Sequence, residues 1–581
     1  MPDSQSSLRP RPRHGPRLVL LAASLAVFFL AGSARGAIFT VGAGCTHPDL
    51  TAALVAAINN PGSDEIRLLA NTTHQGQFIA NSADGLTIRG GYASCSAATA
   101  TGMTTLAGTN SQRALFLLAS GTARLERLVL NGGSVTGDGG GLFVQGSSRV
   151  DLVLVHILGN TATDQGGNVF VNASPGLELR FLAGSIVSAG QAARGGGIAC
   201  SGVGGVLLHD DAVVTSNTAS SDGGGVWVGG DCVLFSNAGG SVGGIRSNLS
   251  VNNGGGVYVE GSAEFNTGIA TAGPTVIEGN TANNGGGGVF VTGTGSVVRL
   301  FSARTALNHA GGAGGAIFAD QQGTAVVARP VSGPDPCPDP VRCSLLFANS
   351  ASVGGAIYAD DLSQVNVHGT HIESNSSTLF NPVASVRGGS VATIHSSVVA
   401  GNSGSEPFLV SDAASSLVLG NVTVVNNTNI GDGLIEVVTG NVGPVRVLSS
   451  VFQQTGPLFV PGFPPAITPQ VDCVISSIGA LFNGMPAGTV SRAIAVADPQ
   501  LANPAAGNYQ LRGSSPAIDA CDTTQWNGST QDIDWQARDI DNPDHANPLP
   551  GFRDLGADEY LWIFADGFES GDTSRWDLVV Q

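Results

Sequence analysis

A glycine-led segment recurs through the middle of this chain. Gly-Gly or Gly-Gly-Gly runs into an aliphatic residue, an aromatic and a second small apolar residue at Gly139 to Val144, Gly223 to Val228, Gly254 to Val259, Gly285 to Val291, Gly314 to Ala319 and Gly354 to Ala359. Degenerate copies lie at Gly166 to Val171 and Gly195 to Cys200. Counted on the aliphatic, Leu142, Val169, Ile198, Val226, Val257, Val289, Ile317 and Ile357 follow at steps of 27, 29, 28, 31, 32, 28 and 40 residues. A near-constant period of this size marks stacked units, none of which can bury its apolar face alone.

Each period holds short β-strand candidates between Gly, Asn and Ser punctuation, which makes the chain all-β and winds it into a parallel β-helix, each rung about 4.8 Å above the last. The 84 glycines are about twice the usual share of roughly 7%, but the abundance of Val, Ile and Leu excludes collagen and disorder. Asn-Thr-Ala at Asn160, Asn217 and Asn280, with looser forms at Asn308 and Asn349, predicts a ladder of stacked asparagines at one turn. The 40-residue step predicts a loop, Gly333 to Cys343, inserted into a rung of ordinary size. Ahead of the repeats, Ile38 to Val41, Ile66 to Leu69, Leu86 to Ile88, Ala114 to Leu118 and Leu125 to Leu130 are strand candidates. Asp49 to Asn59 is a short helix, N-capped near Asp49, with Leu50, Leu54, Ala57 and Ile58 along one side. Such a helix caps the open end of a stack.

Alternation along the strand after the glycines assigns its two faces. The first and third positions are small aliphatics and face the interior. The second position holds Phe143, Phe170, Trp227, Tyr258, Phe290, Phe318 and Tyr358, with Ala199 the one gap, and is expected on the outside as a column of rings. Two roles suit it: a stacking platform for sugar rings or a partner surface, or rings stacked on each other and packed under loops or the next domain for stability.

The first residues address the chain. Arg9, Arg11, Arg13 and Arg17 precede an apolar run from Leu18 to Leu30, then Ala34 and Gly36 at the −3 and −1 positions of a cleavage site. This reads as a signal peptide over residues 1–36, its apolar run short of the ~20 residues that span a membrane, with an uncleaved anchor as the alternative. In an exported protein the eight cysteines read as disulfides: Cys45 with Cys95, Cys337 with Cys343, Cys473 with Cys521 and, by remainder, Cys200 with Cys232. A net charge of −18, with all 25 cations arginine, argues against nucleic acid as a partner.

The Gly-Gly-Ala-Ile-aromatic form at Gly314 to Phe318 and Gly354 to Tyr358, preceded by Asn-x-Ala, resembles the polymorphic outer-membrane protein repeat of the pectate-lyase-like superfamily, over about residues 38–450. That resemblance implies a right-handed parallel β-helix. Downstream, Ser515 to Cys521, Asp539 and Asp554 to Tyr560 resemble the choice-of-anchor Q region that ends many secreted bacterial β-helix proteins, which implies export and surface display. Phe564 to Asp572 with Trp576 resembles a short tail of bacterial secreted proteins. The organisation expected is a signal peptide over 1–36, a capped β-helix over 37–455, a helix end with the anchor-like region over 456–560, and a tail over 561–581.

The superfamily includes polysaccharide lyases and hydrolases, so acids, bases and metal ligands matter. A lyase base has Arg246, Arg299, Arg304, Arg342 and Arg387 to draw on in the middle of the chain, none beside an evident carboxylate cluster. Asp210 and Asp211 next to His209 are the best local pair for a hydrolase, against the reading of a solvated turn. His368, His371 and His395 fall on consecutive rungs and read as surface polar groups. No cofactor is indicated, with calcium open to the acid-rich C-terminal set of Asp519, Asp522, Asp532, Asp534, Asp539, Asp541, Asp544, Asp554 and Asp558, where Arg538 and Arg553 are the alternative partners. The function expected is a non-enzymatic, secreted or surface-displayed β-helix protein that adheres to or binds a polysaccharide or surface protein. The alternative is a carbohydrate-active enzyme on the same fold.

Overall fold

The computed structural model describes residues 35–560, apart from 110, 271–272, 330–343, 412–413, 429–432, 439, 442, 461–468, 478–484, 486–488, 523–529, 535, 539 and 543–551. The signal-like segment up to residue 34, the Cys337 and Cys343 pair, Arg342, Asp539, Asp544 and the tail from 561 lie outside the described residues. From Gly36 on the chain forms one compact unit, a parallel β-solenoid with walls of 27, 13 and 9 strands.

The 13-stranded wall contains the glycine-led repeats. Leu142, Val169, Ile198, Val226, Val257, Val289, Ile317 and Ile357 pair in direct register from rung to rung. The wall also extends beyond them, to Phe78–Asn81 and Leu115–Ala119 on one side and Ala384–Val386, Phe408–Val410 and Ile435–Val437 on the other. The aliphatic positions are fully buried in one continuous core. At the turn into the wall, Gly254 has φ +65°, and an added Cβ would stand 2.6 Å from the Val257 carbonyl oxygen, so both conformation and space demand glycine there.

Burying the inner turn of a solenoid requires its polar groups to be paired, and asparagine does this by copying itself. Asn217, Asn248, Asn280, Asn308, Asn349, Asn375, Asn402 and Asn427 are 0–3% exposed, and each donates Nδ2 to the side-chain oxygen of the next, ending at Gln454. Asn308 is typical. Its Oδ1 accepts from the backbone N and the Nδ2 of Asn280, and its Nδ2 also donates to the Ile277 carbonyl. The predicted ladder is thus present, and longer than the Asn-Thr-Ala motif indicated.

One rung breaks the motif and repairs itself. Gly190 stands where the ladder asparagine belongs, and Asn168, in the place of the third glycine of a degenerate repeat, reaches in instead. Its Oδ1 accepts from Asn160 Nδ2 at 2.8 Å, and its Nδ2 donates to Asn217 Oδ1 at 3.0 Å. A Cβ on Gly190 would lie 2.2 Å from the Gly196 carbonyl oxygen and 2.5 Å from Asn168 Nδ2, so no side chain fits at Gly190 and Asn168 supplies the missing amide.

The N-terminal end is closed by the helix Leu50–Asn59, whose N-cap Asp49 accepts from the Ala52 N–H at 2.8 Å. Leu50, Ala53, Leu54 and Ala57 face the core, whereas Ile58, expected on the buried side, is 53% exposed. Ala53 takes its place because the contact stripe runs through i, i+3, i+4 and i+7. The predicted disulfides Cys45–Cys95, Cys200–Cys232 and Cys473–Cys521 are formed.

Solenoid pairing continues through Gln470–Ser476 to Val490–Ala495. The remaining chain folds back onto the outer flank of the last rungs. There Leu501, Leu511, Ile518 and Leu555 bury the outward-facing Val398, Val425, Val451 and Ile475.

Candidate functional site

The ring column occupies the outer side of the 13-stranded wall, in a cluster separate from the interior core. Phe116, outside the glycine motif, extends it by a rung. Rings meet at 5.1 Å for Phe143 and Phe170, 5.2 Å for Tyr258 and Phe290, 4.7 Å for Phe290 and Phe318 and 4.6 Å for Phe318 and Tyr358. Of the two roles open to it, the column is arranged for packing rather than as an open platform. Phe170, Trp227, Tyr258, Phe290 and Tyr358 are all less than a tenth exposed, and Phe143 and Phe318 are half-buried. The bends leading into the wall fold over the rings; at Gly285 an added Cβ would stand 2.3 Å from the Phe318 ring. Period-two alternation identifies the face of a residue but not what lies above it, which is why the sequence placed the column on the outside and left both roles open.

The rims of the column are polar. Tyr258 and Tyr358 donate their hydroxyls to Glu260 and Asp360, each at 3.3 Å. Asp320 and Asp360 follow one another on adjacent rungs. Burial, then repulsion from Asp360 and Asp361, holds the Asp320 carboxyl above the usual range. The Ala-Asp ending shared by the two Gly-Gly-Ala-Ile copies was the available signal for this pair.

An exposed column of a different kind runs along the nine-stranded wall, directly after the asparagine ladder. Ser134, Thr161, Gln191, Thr218, Leu249, Thr281, His309, Ser350, Ser376, Ser403 and Thr428 succeed one another in register over eleven rungs. All are half-buried or exposed. In the Asn-Thr-Ala motif the asparagine and the alanine point inward, so the hydroxyl must point outward. Eight of the eleven are Ser or Thr and none is Asp, Glu or Arg, on a protein whose net charge is −18. The motif carried this column in plain sight, read there only for its asparagines.

The proposed acid and base residues are spread apart or occupied. His209 Nδ1 lies 3.6 Å from Asp210 Oδ2 in an outer turn, and Asp211 accepts the Gly184 N–H of the previous rung at 3.0 Å, which ties the turn to its neighbour. Arg246 pairs with Glu278, Arg299 with Glu264 at 2.7 Å, and Arg304 with Glu278 at 3.5 Å. Arg387 donates to the Tyr358 hydroxyl at 3.4 Å. Among the described residues no three His, Cys, Asp or Glu side chains gather as a metal set, and no helix is long and apolar enough to cross a membrane.

The histidines depart from their surface assignment. His368 and His395 stack at 4.4 Å beneath the C-terminal region. Burial, then the Arg538 and Arg329 charges, lowers His368 to about 4; burial, His368 and Arg538 lower His395 to about 3. His371 instead pairs with Glu373 at 3.0 Å. The acid-rich C-terminal set divides: Asp519, Asp532, Asp554 and Asp558, joined by Glu559, are at most 6% exposed, with Arg538 at 4% and Arg553 at 2%, whereas Asp522 and Asp534 are half-buried and Asp541 is exposed.

The chain matches no protein-family model, no curated protein and no solved structure.

Proposed function

We propose that this chain is an exported β-solenoid protein, released from or displayed on a bacterial surface, that holds a polysaccharide or a surface partner along one lateral face without catalysing a reaction. The observation that carries this reading is the uncharged, hydroxyl-rich column of eleven rungs. A regular row of small hydrogen-bonding groups with little side-chain entropy to lose suits an extended partner with its own repeat. The closed ring column serves the other role assigned to it, stacking for stability. Export is supported by the signal-like residues 1–36 and by the three disulfides, bonds that persist in oxidising compartments. The resemblance to the pectate-lyase-like superfamily and the choice-of-anchor Q region points the same way.

The test is a glycan array and a pull-down on whole-cell polysaccharide with three proteins: wild type, Thr218→Arg/Thr281→Arg and Trp227→Ala. The arginine pair places two long charged side chains on the column and is expected to weaken binding at least ~10-fold, about 1.4 kcal/mol. Trp227→Ala is expected to bind as wild type does. Binding that survives the arginine pair removes the column from the account. New unsaturation or reducing ends on incubation with pectins or alginates would replace the binding role with the enzymatic alternative.

A further inference from the structure

The C-terminal region sits on the solenoid through a small set of directional contacts. The Gly556 N–H donates to the Ser449 carbonyl at 2.9 Å, the Ala557 N–H to Thr423 Oγ1 at 2.9 Å, and Ser396 Oγ to the Gln531 carbonyl at 3.1 Å. Cys473–Cys521 tethers the two parts covalently. Directly behind these contacts five carboxyl groups are buried with two guanidiniums. Arg538 is committed to the Gly556 and Ala557 carbonyls at 3.0 and 2.7 Å and lies 3.6 Å from Glu559. Most carboxylate oxygens accept backbone N–H groups: Asp554 from Asp519 and Tyr560, Asp532 from Asp534, Gln536 and Glu559, and Glu559 from Ile540 and Asp554. Asp558 accepts from Leu511 at 3.4 Å through one oxygen only. The other is buried with no donor in reach among the described residues.

Fully ionised, this interior would hold a surplus of negative charge in a place water does not reach, which is costly unless protons are retained. We propose that the C-terminal region is a proton-operated clasp: protons kept by its buried carboxyl groups seat it on the solenoid flank, and their loss on alkalinisation releases it and bares the apolar strip of Val398, Val425, Val451 and Ile475.

The electrostatics agree in direction. Burial is the leading cause at each group, raising Asp532 to about 6, Asp554 to about 7, Glu559 to about 8 and Asp558 well above its ordinary value. A carboxyl that holds its proton more tightly docked than free contributes stability that is complete below the ordinary carboxylate range and is lost as pH rises through the docked values. The clasp therefore weakens from about pH 6 through 8. The groups facing it from the solenoid are Arg329, 3.9 Å from Asp534, and the stacked His368 and His395. Arg492 pairs with Asp472 and Asp522 at one edge, and His371 with Glu373 lies near the Tyr509 ring at the other. The two lowered imidazoles act oppositely, weakening the clasp as pH falls below 6.5 toward 3. They do not offset the alkaline limb.

Trypsin reads the clasp directly, because the chain has no lysine and two of its arginines, Arg538 and Arg553, are buried in the clasp. Cleavage after these two would be followed from pH 6.5 to 8.5 on the full disulfide-bonded chain, normalised to a small arginine peptide and to cleavage at solenoid arginines. Wild type is expected to be cut at least ~10-fold faster at the upper pH, the consequence of one unit of differential proton affinity. Asp558→Asn keeps the oxygen that accepts from Leu511 but cannot ionise, and is expected to reduce that rise; Glu559→Gln provides a second neutral variant, and protection at pH 6.5 shows that each has folded. Cleavage independent of pH, or a rise in Asp558→Asn equal to wild type, overturns the proposal. So does restoration of protection at pH 8.5 by calcium chloride, which would make a cation the counterion.

Discussion

In the solenoid interior, a run of asparagines lies buried and each finds its partners in the next copy of itself; in the C-terminal region, five carboxyl groups and two guanidiniums lie buried and each finds a different partner. A repeating structure can bury neutral amides because the rung above presents the same group at about 4.8 Å. A region built once has no such neighbour, so it relies on backbone N–H groups, on arginine and on protons. The first arrangement is indifferent to pH and sensitive to any single deletion. The second is sensitive to pH and tolerant of neutral replacements.

The largest effect that would break this contrast comes from the middle of the ladder. Asn308→Ala strands the backbone N–H and the amide of Asn280, both buried, and is expected to cost about 2–6 kcal/mol, since an unsatisfied buried donor costs ~1–3 kcal/mol. Urea unfolding at pH 6 and pH 8.5 should return the same loss at both. Asp558→Asn is expected to differ in kind, near neutral at pH 6 and stabilising at pH 8.5 in the same measurement.

A second test sharpens the claim of compensation within the ladder. Asn168→Gly removes the bridge between Asn160 and Asn217, and Gly190→Asn crowds Asn168, so each alone is expected to destabilise by about 1–3 kcal/mol. Together they relieve the clash with Asn168 but not the one with the Gly196 carbonyl oxygen, so part of the loss should be recovered, a coupling of about 1 kcal/mol in a double-mutant cycle. Additive losses would mean that Asn168 is not filling the vacant rung.

The histidine pair supplies the acid limb. Holding two imidazoles neutral costs stability as pH falls from 6.5 through about 4 and 3. His395→Phe, which keeps the stack and removes a titrating group, is expected to move the acid midpoint of C-terminal undocking, followed by tryptophan fluorescence, to lower pH. The smallest effect belongs to a strained turn. Leu307 has φ +55° and is half exposed at the position that Gly159 and Gly279 occupy before other ladder asparagines. Leu307→Gly is expected to raise stability by up to about 1 kcal/mol, read as a shift in thermal midpoint.

How much of this the sequence carried depended on whether a feature repeats. The register of Leu142 through Ile357 and the asparagine ladder were legible because periodicity fixes which residues become neighbours, and the three disulfides because few cysteines leave few pairings. The cover over Trp227 and Tyr258 was legible only as one of two readings, since it depends on how the glycine bend lies in three dimensions. The exchange between Asn168 and Gly190, twenty-two residues apart, was not legible while Asn168 was read only as part of a degenerate copy and Gly190 lay outside the motif. The docking of Leu555 to Ala557 on Val451 and Thr423 was the least accessible, because nothing local in an acid-rich segment says that it will be buried. His368 and His395 were misplaced for the same reason.

Hydrogen exchange measured along the whole chain as a function of pH tests the contrast most directly. After correction for intrinsic rates, protection of the Asn217, Asn280 and Asn308 amides should be the same at pH 6 and pH 8.5. Protection of the Gly556 and Ala557 amides should fall at least ~10-fold over that interval. Equal pH dependence in the two regions, or none in either, would contradict the account.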